Sequence, residues 1–192
     1  NDGDQVVWLQ HDGNDWEVFL YDGTAILQLT DNSEDESGWP QIDAGLVTLS
    51  GHVFDAGGYD REIFLYDEAT GNTTQITNDL SDDGAVSIDT GQVVWLADDG
   101  VDREVLLYDM ATATTTQITN TVYDEYDPQI DAGQVTWTGY DAGDGEIFHC
   151  PESVRCLLRR TGCGHHLYCD LQFPHPDGGG PLLSMVDFLS TT

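Results

Sequence analysis

One block of sequence returns again and again through the first 149 residues, so the chain must fold as stacked copies of a single supersecondary unit. Gln5-Val-Val-Trp8 returns as Leu46-Val-Thr-Leu49, Gln92-Val-Val-Trp95 and Gln134-Val-Thr-Trp137. Glu17-Val-Phe-Leu-Tyr-Asp22 returns as Glu62-Ile-Phe-Leu-Tyr-Asp67 and Glu104-Val-Leu-Leu-Tyr-Asp109, then begins again at Glu146-Ile-Phe148. Leu27-Gln-Leu-Thr30 matches Thr74-Gln-Ile-Thr77 and Thr116-Gln-Ile-Thr119, and Pro40-Gln-Ile-Asp-Ala-Gly45 matches Val86-Ser-Ile-Asp-Thr-Gly91 and Pro128-Gln-Ile-Asp-Ala-Gly133. The leading Glu recurs at intervals of 45, 42 and 42 residues.

Each unit reads as four short strands. Pro-Gln-Ile-Asp is the first, Ala-Gly a tight turn, and Gln-Val-Thr-Trp opens the second. An Asp/Gly-rich turn leads to Glu-Ile-Phe-Leu-Tyr-Asp, and Ala69-Thr-Gly-Asn72 turns into Thr-Thr-Gln-Ile-Thr. The third strand is apolar on both faces, with Ile63 and Leu65 one way and Phe64 and Tyr66 the other. A sheet packed between two neighbouring sheets requires that pattern. No window carries a helical period. The expected fold is all-β, built of β-propeller-type four-stranded antiparallel blades.

The run Gln-Ile-Thr, an Asp-containing loop, Pro-x-Ile-x-x-Gly-x-Val-x-Trp and Glu-Ile-Phe-Leu-Tyr-Asp resembles the TolB-like β-propeller repeat over roughly residues 4–149. That family's Trp-Ser-Pro-Asp-Gly turn is replaced here by Gln-Ile-Asp-Ala-Gly. The resemblance implies a fold shared by binding modules and by the propellers that gate prolyl-oligopeptidase-like enzymes, so it fixes no single function. The sequence enters its first blade at the second strand, completes two blades and stops in the third strand of a fourth. The expected count is about three and a half blades, against four to eight in closed propellers. A fragment of a larger propeller or closure by oligomerisation is favoured over a small self-closed ring.

Charge divides the chain. Residues 1–149 hold 32 acids and two Arg, whereas residues 150–192 hold four acids and three Arg, all four Cys and four of the six Pro. The expected domains are therefore 1–149, the blades, and 150–192, a divergent Cys/His/Pro/Gly-containing tail. A net charge of −31 without any Lys argues against nucleic acid and anionic membrane as partners. No apolar run approaches the ~20 residues of a membrane span. Asn1 is followed by no signal-type apolar segment, which reads as a processed chain or a fragment.

Acids recur just ahead of each third strand: Asp12, Asp15 and Glu17; Asp55, Asp60 and Glu62; Asp98, Asp102 and Glu104; Asp141, Asp144 and Glu146. Residues i and i+2 share a strand face, so each Asp-x-Glu pair can converge. Oxygen-only ligands beside a Gly-containing turn suit calcium. Asp and Gly as turn formers, on a surface kept soluble by charge, account for the same pattern without a metal. No catalytic residue is nominated: the chain lacks a Gly-x-Ser-x-Gly elbow, a His-Glu-x-x-His pair and a phosphate-cradling Gly-Lys-Ser/Thr loop. His11 and His52 read as surface or packing residues. Trp8, Trp95, Trp137, Tyr21, Tyr66 and Tyr108 occupy equivalent places and read as packing between blades, while Trp16 and Trp39 break the pattern and read as candidate contacts.

In the tail, Cys150, Cys156, Cys163 and Cys169 could form two disulfides in an exported protein, stay as thiols, or hold zinc with His165 and His166. The abrupt loss of the repeat after Phe148 is also what a reading-frame change in the source gene would leave. The expectation is a non-enzymatic, exported module, periplasmic, cell-surface or extracellular. Its partner would be another protein or itself through open blade ends, with calcium as a stabiliser and no other cofactor. The alternatives are the accessory propeller of a hydrolase whose catalytic part lies elsewhere, and a structural component of a cell surface or extracellular filament.

Overall fold

The computed structural model describes residues 1–54, 58–98, 100–141, 144–150, 155–161 and 164–170, with the last two stretches and residues 141 and 144 given by backbone alone. Its described residues form sixteen strands and no helix. The first sheet joins β1 (Val6–His11), β2 (Trp16–Tyr21) and β3 (Ile26–Gln28). The second joins β4 (Glu36–Asp43), β5 (Leu46–Phe54), β6 (Tyr59–Asp67) and β7 (Asn72–Gln75). The third repeats it with β8 (Asp82–Asp89), β9 (Gln92–Asp98), β10 (Arg103–Asp109) and β11 (Thr114–Gln117). The fourth has β12 (Tyr126–Asp131), β13 (Gln134–Asp141) and β14 (Asp144–Cys150), and β15 (Arg155–Thr161) pairs with β16 (Gly164–Asp170) as a separate hairpin. Every pairing is antiparallel between consecutive strands, so the first four sheets are meandering blades.

Local chemistry sets the register. The hairpins closed by Ala44-Gly45, Thr90-Gly91 and Ala132-Gly133 have positive φ at both turn residues, 49° and 79° in the first. Two successive positive φ values define the tight turn whose twist matches that of paired strands. At Gly45 a side chain would also have to displace Glu68, whose Oε2 lies 3.0 Å from where a Cβ would stand. Each first strand then carries a bulge near its start, between Ser37 and Gln41, Gly84 and Ser87, and Tyr126 and Gln129. A bulge re-aims the residues beside it, and here those residues are Glu36, Asp83 and Glu125.

The core is laminated between blades. Val18 and Leu20 of the first blade pack on Ile42, Val47 and Leu49 of the second. Ile63 and Leu65 meet Val86, Ile88, Val93 and Trp95 of the third. Val94, Leu96 and Val105 meet Ile130, Val135 and Trp137 of the fourth. Phe64 and Tyr66 back onto the first of these layers while Ile63 and Leu65 face the second, so β6 is covered on both sides. Burying one such side chain stabilises the fold by about 1.5–3 kcal/mol. Of the recurrent aromatics, Trp95 and Trp137 are fully buried, Trp8 is half-buried against Phe19, and Tyr66 and Tyr108 pack partly buried on the core, while Tyr21 is exposed.

Candidate carboxylate sites at the blade junctions

The first residues of each third strand lie beyond the end of the fourth strand, so their amides lack a ladder partner on that side. Side chains from the loop into the next blade supply one. Thr30, Thr77 and Thr119 accept the amides of Val18, Ile63 and Val105 at 2.9, 2.8 and 2.8 Å. Asp35, Asp82 and Asp124 accept those of Trp16, Arg61 and Arg103 at 2.9, 3.1 and 3.1 Å. In return Glu17, Glu62 and Glu104 accept loop amides from Asn32, Asp79 and Thr121 at 3.0, 3.1 and 2.8 Å. The recurring Thr, Asp and Glu therefore staple one blade to the loop that starts the next.

A second buried acid stands across each junction. The Glu36 carboxyl faces that of Glu17, Asp83 lies in the field of Glu62, and Glu125 faces Glu104. Burial pushes all three up, Glu36 to about 8, Asp83 to about 7 and Glu125 to about 8, with the facing acid adding to the shift. Oε2 of Glu17, Glu36, Glu62 and Glu125, and both carboxylate oxygens of Asp83, are buried without a hydrogen-bond partner. These partner acids carry no mark in the repeat motifs themselves. The signal that finds them is spacing, because each stands six residues after the stapling Thr.

The candidate metal ligands are distributed unevenly. Asp12, Asp15 and Glu17 place one carboxylate oxygen each within 4.8 Å of one another, and they are the single such group among the described residues. Asp60 is partly buried with Oδ1 unpartnered, and Glu62 is fully buried beside Thr77. Asp98 accepts the Gly100 amide at 2.8 Å as a turn former, Asp102 is partly buried, and both Glu104 oxygens are engaged, by Thr119 and Thr121. Glu146 is exposed; Asp55 and the side chains of Asp141 and Asp144 lie outside the described residues. Cys150 is buried and disulfide-bonded, and the side chains of Cys156, Cys163 and Cys169 lie outside the described residues. His11 packs edge-on against Trp16, and His52 stacks on Tyr59 with Nδ1 2.8 Å from the Asp35 carbonyl.

No family model matches the sequence, and no curated protein matches it. Solved structures do match. The blades superimpose on TolB from Acinetobacter baumannii with a TM-score of 0.59 at 15% identity, over 88% of this chain and 51% of that one. The fold is that of a TolB-like β-propeller. The β-propeller domain of the Trilobed protease from Pyrococcus furiosus, described as having an open velcro topology, matches with a TM-score of 0.57 at 9% identity over 86% of this chain and 61% of that domain. Acylaminoacyl peptidase from Pyrococcus horikoshii matches with a TM-score of 0.58 at 16% identity, over 78% of this chain and 25% of the peptidase. The chain thus spans about half the length of the TolB structure it resembles. Among its described residues no helix is long and apolar enough to cross a membrane.

Proposed function

We propose that this propeller is a non-enzymatic, exported interaction module that assembles by laying the open face of its fourth blade on the first blade of a second copy. One residue carries the reading. Val18, Ile63 and Val105 occupy the same position in the first three blades and each is 0% exposed, because the next blade covers it. Ile147 occupies that position in the fourth blade and is 80% exposed. At the other end Val6 and Tyr21 of the first blade are exposed at 41% and 36%. The two faces differ, so contact between copies is head-to-tail and can close into a ring. Four Cys in the last 43 residues and the disulfide at Cys150 favour an oxidising compartment, periplasmic, cell-surface or extracellular. Calcium is part of the same proposal as a stabiliser of the blades.

Sedimentation of the wild type and of Ile147→Asp tests the assembly. A dimer that Ile147→Asp weakens at least about tenfold supports the reading, since a carboxylate in a covered apolar face is costly. A wild-type chain that stays monomeric at every concentration removes it. The second reading, an accessory propeller of a hydrolase, draws on the likeness to the acylaminoacyl peptidase. A catalytic domain encoded in the same gene would favour it.

A further inference from the structure

We propose that Asp12, Asp15 and Glu17 hold one calcium ion at the junction between the first two blades, with Glu36 facing Glu17 from the second blade. The inference rests on the calcium part of the reading above and is independent of the assembly part. Two of its three ligands have a buried oxygen with nothing to bind it, Oδ1 of Asp15 at 7% exposure and Oε2 of Glu17 at 0%, and the facing Glu36 leaves its own Oε2 unpartnered at 6%. The other oxygens of the two Glu are held from outside, Glu17 Oε1 by the Asn32 amide at 3.0 Å and Glu36 Oε1 by the Asn32 side chain at 2.7 Å. Asp12 stands at the solvent side of the β1–β2 turn, its Oδ1 fixed by the Asn14 amide at 2.8 Å.

The spacing fits the ion. Oxygens on opposite sides of a calcium ion bound at about 2.3–2.6 Å lie about twice that distance apart. Asp12, Asp15 and Glu17 bring theirs within 4.8 Å. A pocket of about 370 Å³, lined by Asn14, Asp15, Asn32 and Ser33 among others, opens beside them and leaves room for water to complete six to eight ligands.

A comparison between blades supplies the independent argument. At the second junction Arg61 stands between Asp60 and Glu62 and pairs with Asp82 at 2.6 Å; at the third, Arg103 stands between Asp102 and Glu104 and pairs with Asp124 at 3.3 Å. At the first junction the same position is Trp16. Its amide still donates to Asp35 at 2.9 Å, but no guanidinium comes with it. Arg61 and Arg103 are the two Arg of residues 1–149, and both are engaged at the later junctions. Asp35, the counterpart of the acids that take the guanidinium at the other two junctions, thus has none here, and it adds to the upward pKa shift that burial gives Asp15. The first junction therefore carries one more uncompensated acid beside Asp12, Asp15 and Glu17, whose charge a divalent ion would offset.

The test uses the full chain with calcium as the probe, read by calorimetry and by thermal unfolding. One ion per chain is expected, with a rise in melting temperature. Asp12→Asn, which keeps the Oδ1 that accepts the Asn14 amide, and Asp15→Asn should each raise the dissociation constant at least tenfold. Trp16→Arg should restore the internal cation, raising the melting temperature without calcium and shrinking the calcium-induced rise. Asp60→Asn should leave calcium binding unchanged. A chain that binds no calcium overturns both this site and the calcium reading. Calcium bound with unchanged affinity by Asp12→Asn, Asp15→Asn and Trp16→Arg overturns this site and leaves the calcium reading standing.

Discussion

Arg61 on β6 grips Asp82 at the start of β8 with two parallel contacts, Nε to Oδ1 at 2.8 Å and Nη2 to Oδ2 at 2.6 Å, while its own amide donates to the same Oδ1 at 3.1 Å. One carboxylate therefore serves as both backbone cap and ion-pair partner, and it ties the second blade to the third. The hydrogen-bonded contact raises the pKa of Arg61 and lowers that of Asp82.

Arg61→Ala keeps the amide cap and loses the fork. The pair is partly exposed, 31% and 46% on its two side chains, so the expected cost is about 1 kcal/mol, shrinking in high salt. Asp82→Ala removes the cap as well and should cost more. Urea denaturation at two ionic strengths checks the order of the two.

Thr77→Val and Thr119→Val replace a buried acceptor with a methyl group and orphan the amides of Ile63 and Val105. Each should destabilise by about 1–3 kcal/mol, whereas Thr73→Val, on the exposed outer strand, should stay within about 0.5 kcal/mol. Thr119→Val should be the more severe, because Thr119 also donates to Glu104. Equilibrium unfolding of the three variants side by side makes the comparison.

Stability should fall as the pH rises. The folded pKa of Asp83 is about 7 and that of Glu125 about 8, both raised above the unfolded values near 4. Such groups bind protons more tightly when folded, so their contribution is complete below about pH 4 and is lost between there and pH 7–8. Asp83 faces Asp79 and Glu62 as well as Thr77 and Trp95, and Glu125 faces Glu104, Asp102 and Thr121, so the nearby acids reinforce the direction. Melting temperatures between pH 5 and about 8 should decline for the wild type, and an Asp83→Asn, Glu125→Gln double variant should flatten the decline.

Ile63→Ala opens a cavity in the layer shared with Trp95 and should cost about 2–5 kcal/mol at any protein concentration. Ile147→Ala should behave differently. On the proposed assembly its cost should depend on protein concentration, because a second copy would cover this side chain, which its own chain leaves 80% exposed. Thermal unfolding over a hundredfold dilution separates the two cases.

Much of this was legible in the sequence. Glu62-Ile-Phe-Leu-Tyr-Asp67 already shows a strand apolar on both faces, and Ile63 and Phe64 do pack on opposite layers. Asp43-Ala-Gly45 and its copies already show the two-residue turns. The junction chemistry was half visible. The Asp-x-Glu pairs stand out by recurrence, but Glu36, Asp83 and Glu125 are aimed at them by bulges and by the stacking of blades, which a linear motif does not encode. Trp16 stood out as a break in the pattern and read as an exposed contact. Only the neighbouring junctions, where Arg61 and Arg103 hold the same place, show that what it removes is a charge.

Native mass spectrometry of the purified full chain tests the central claim, that the exposed face around Ile147 is covered by a second copy. A dominant species at twice 21.1 kDa is expected, reduced to the single-chain mass by Ile147→Asp. A wild-type chain found only at 21.1 kDa, at concentrations well above the micromolar range, would contradict it.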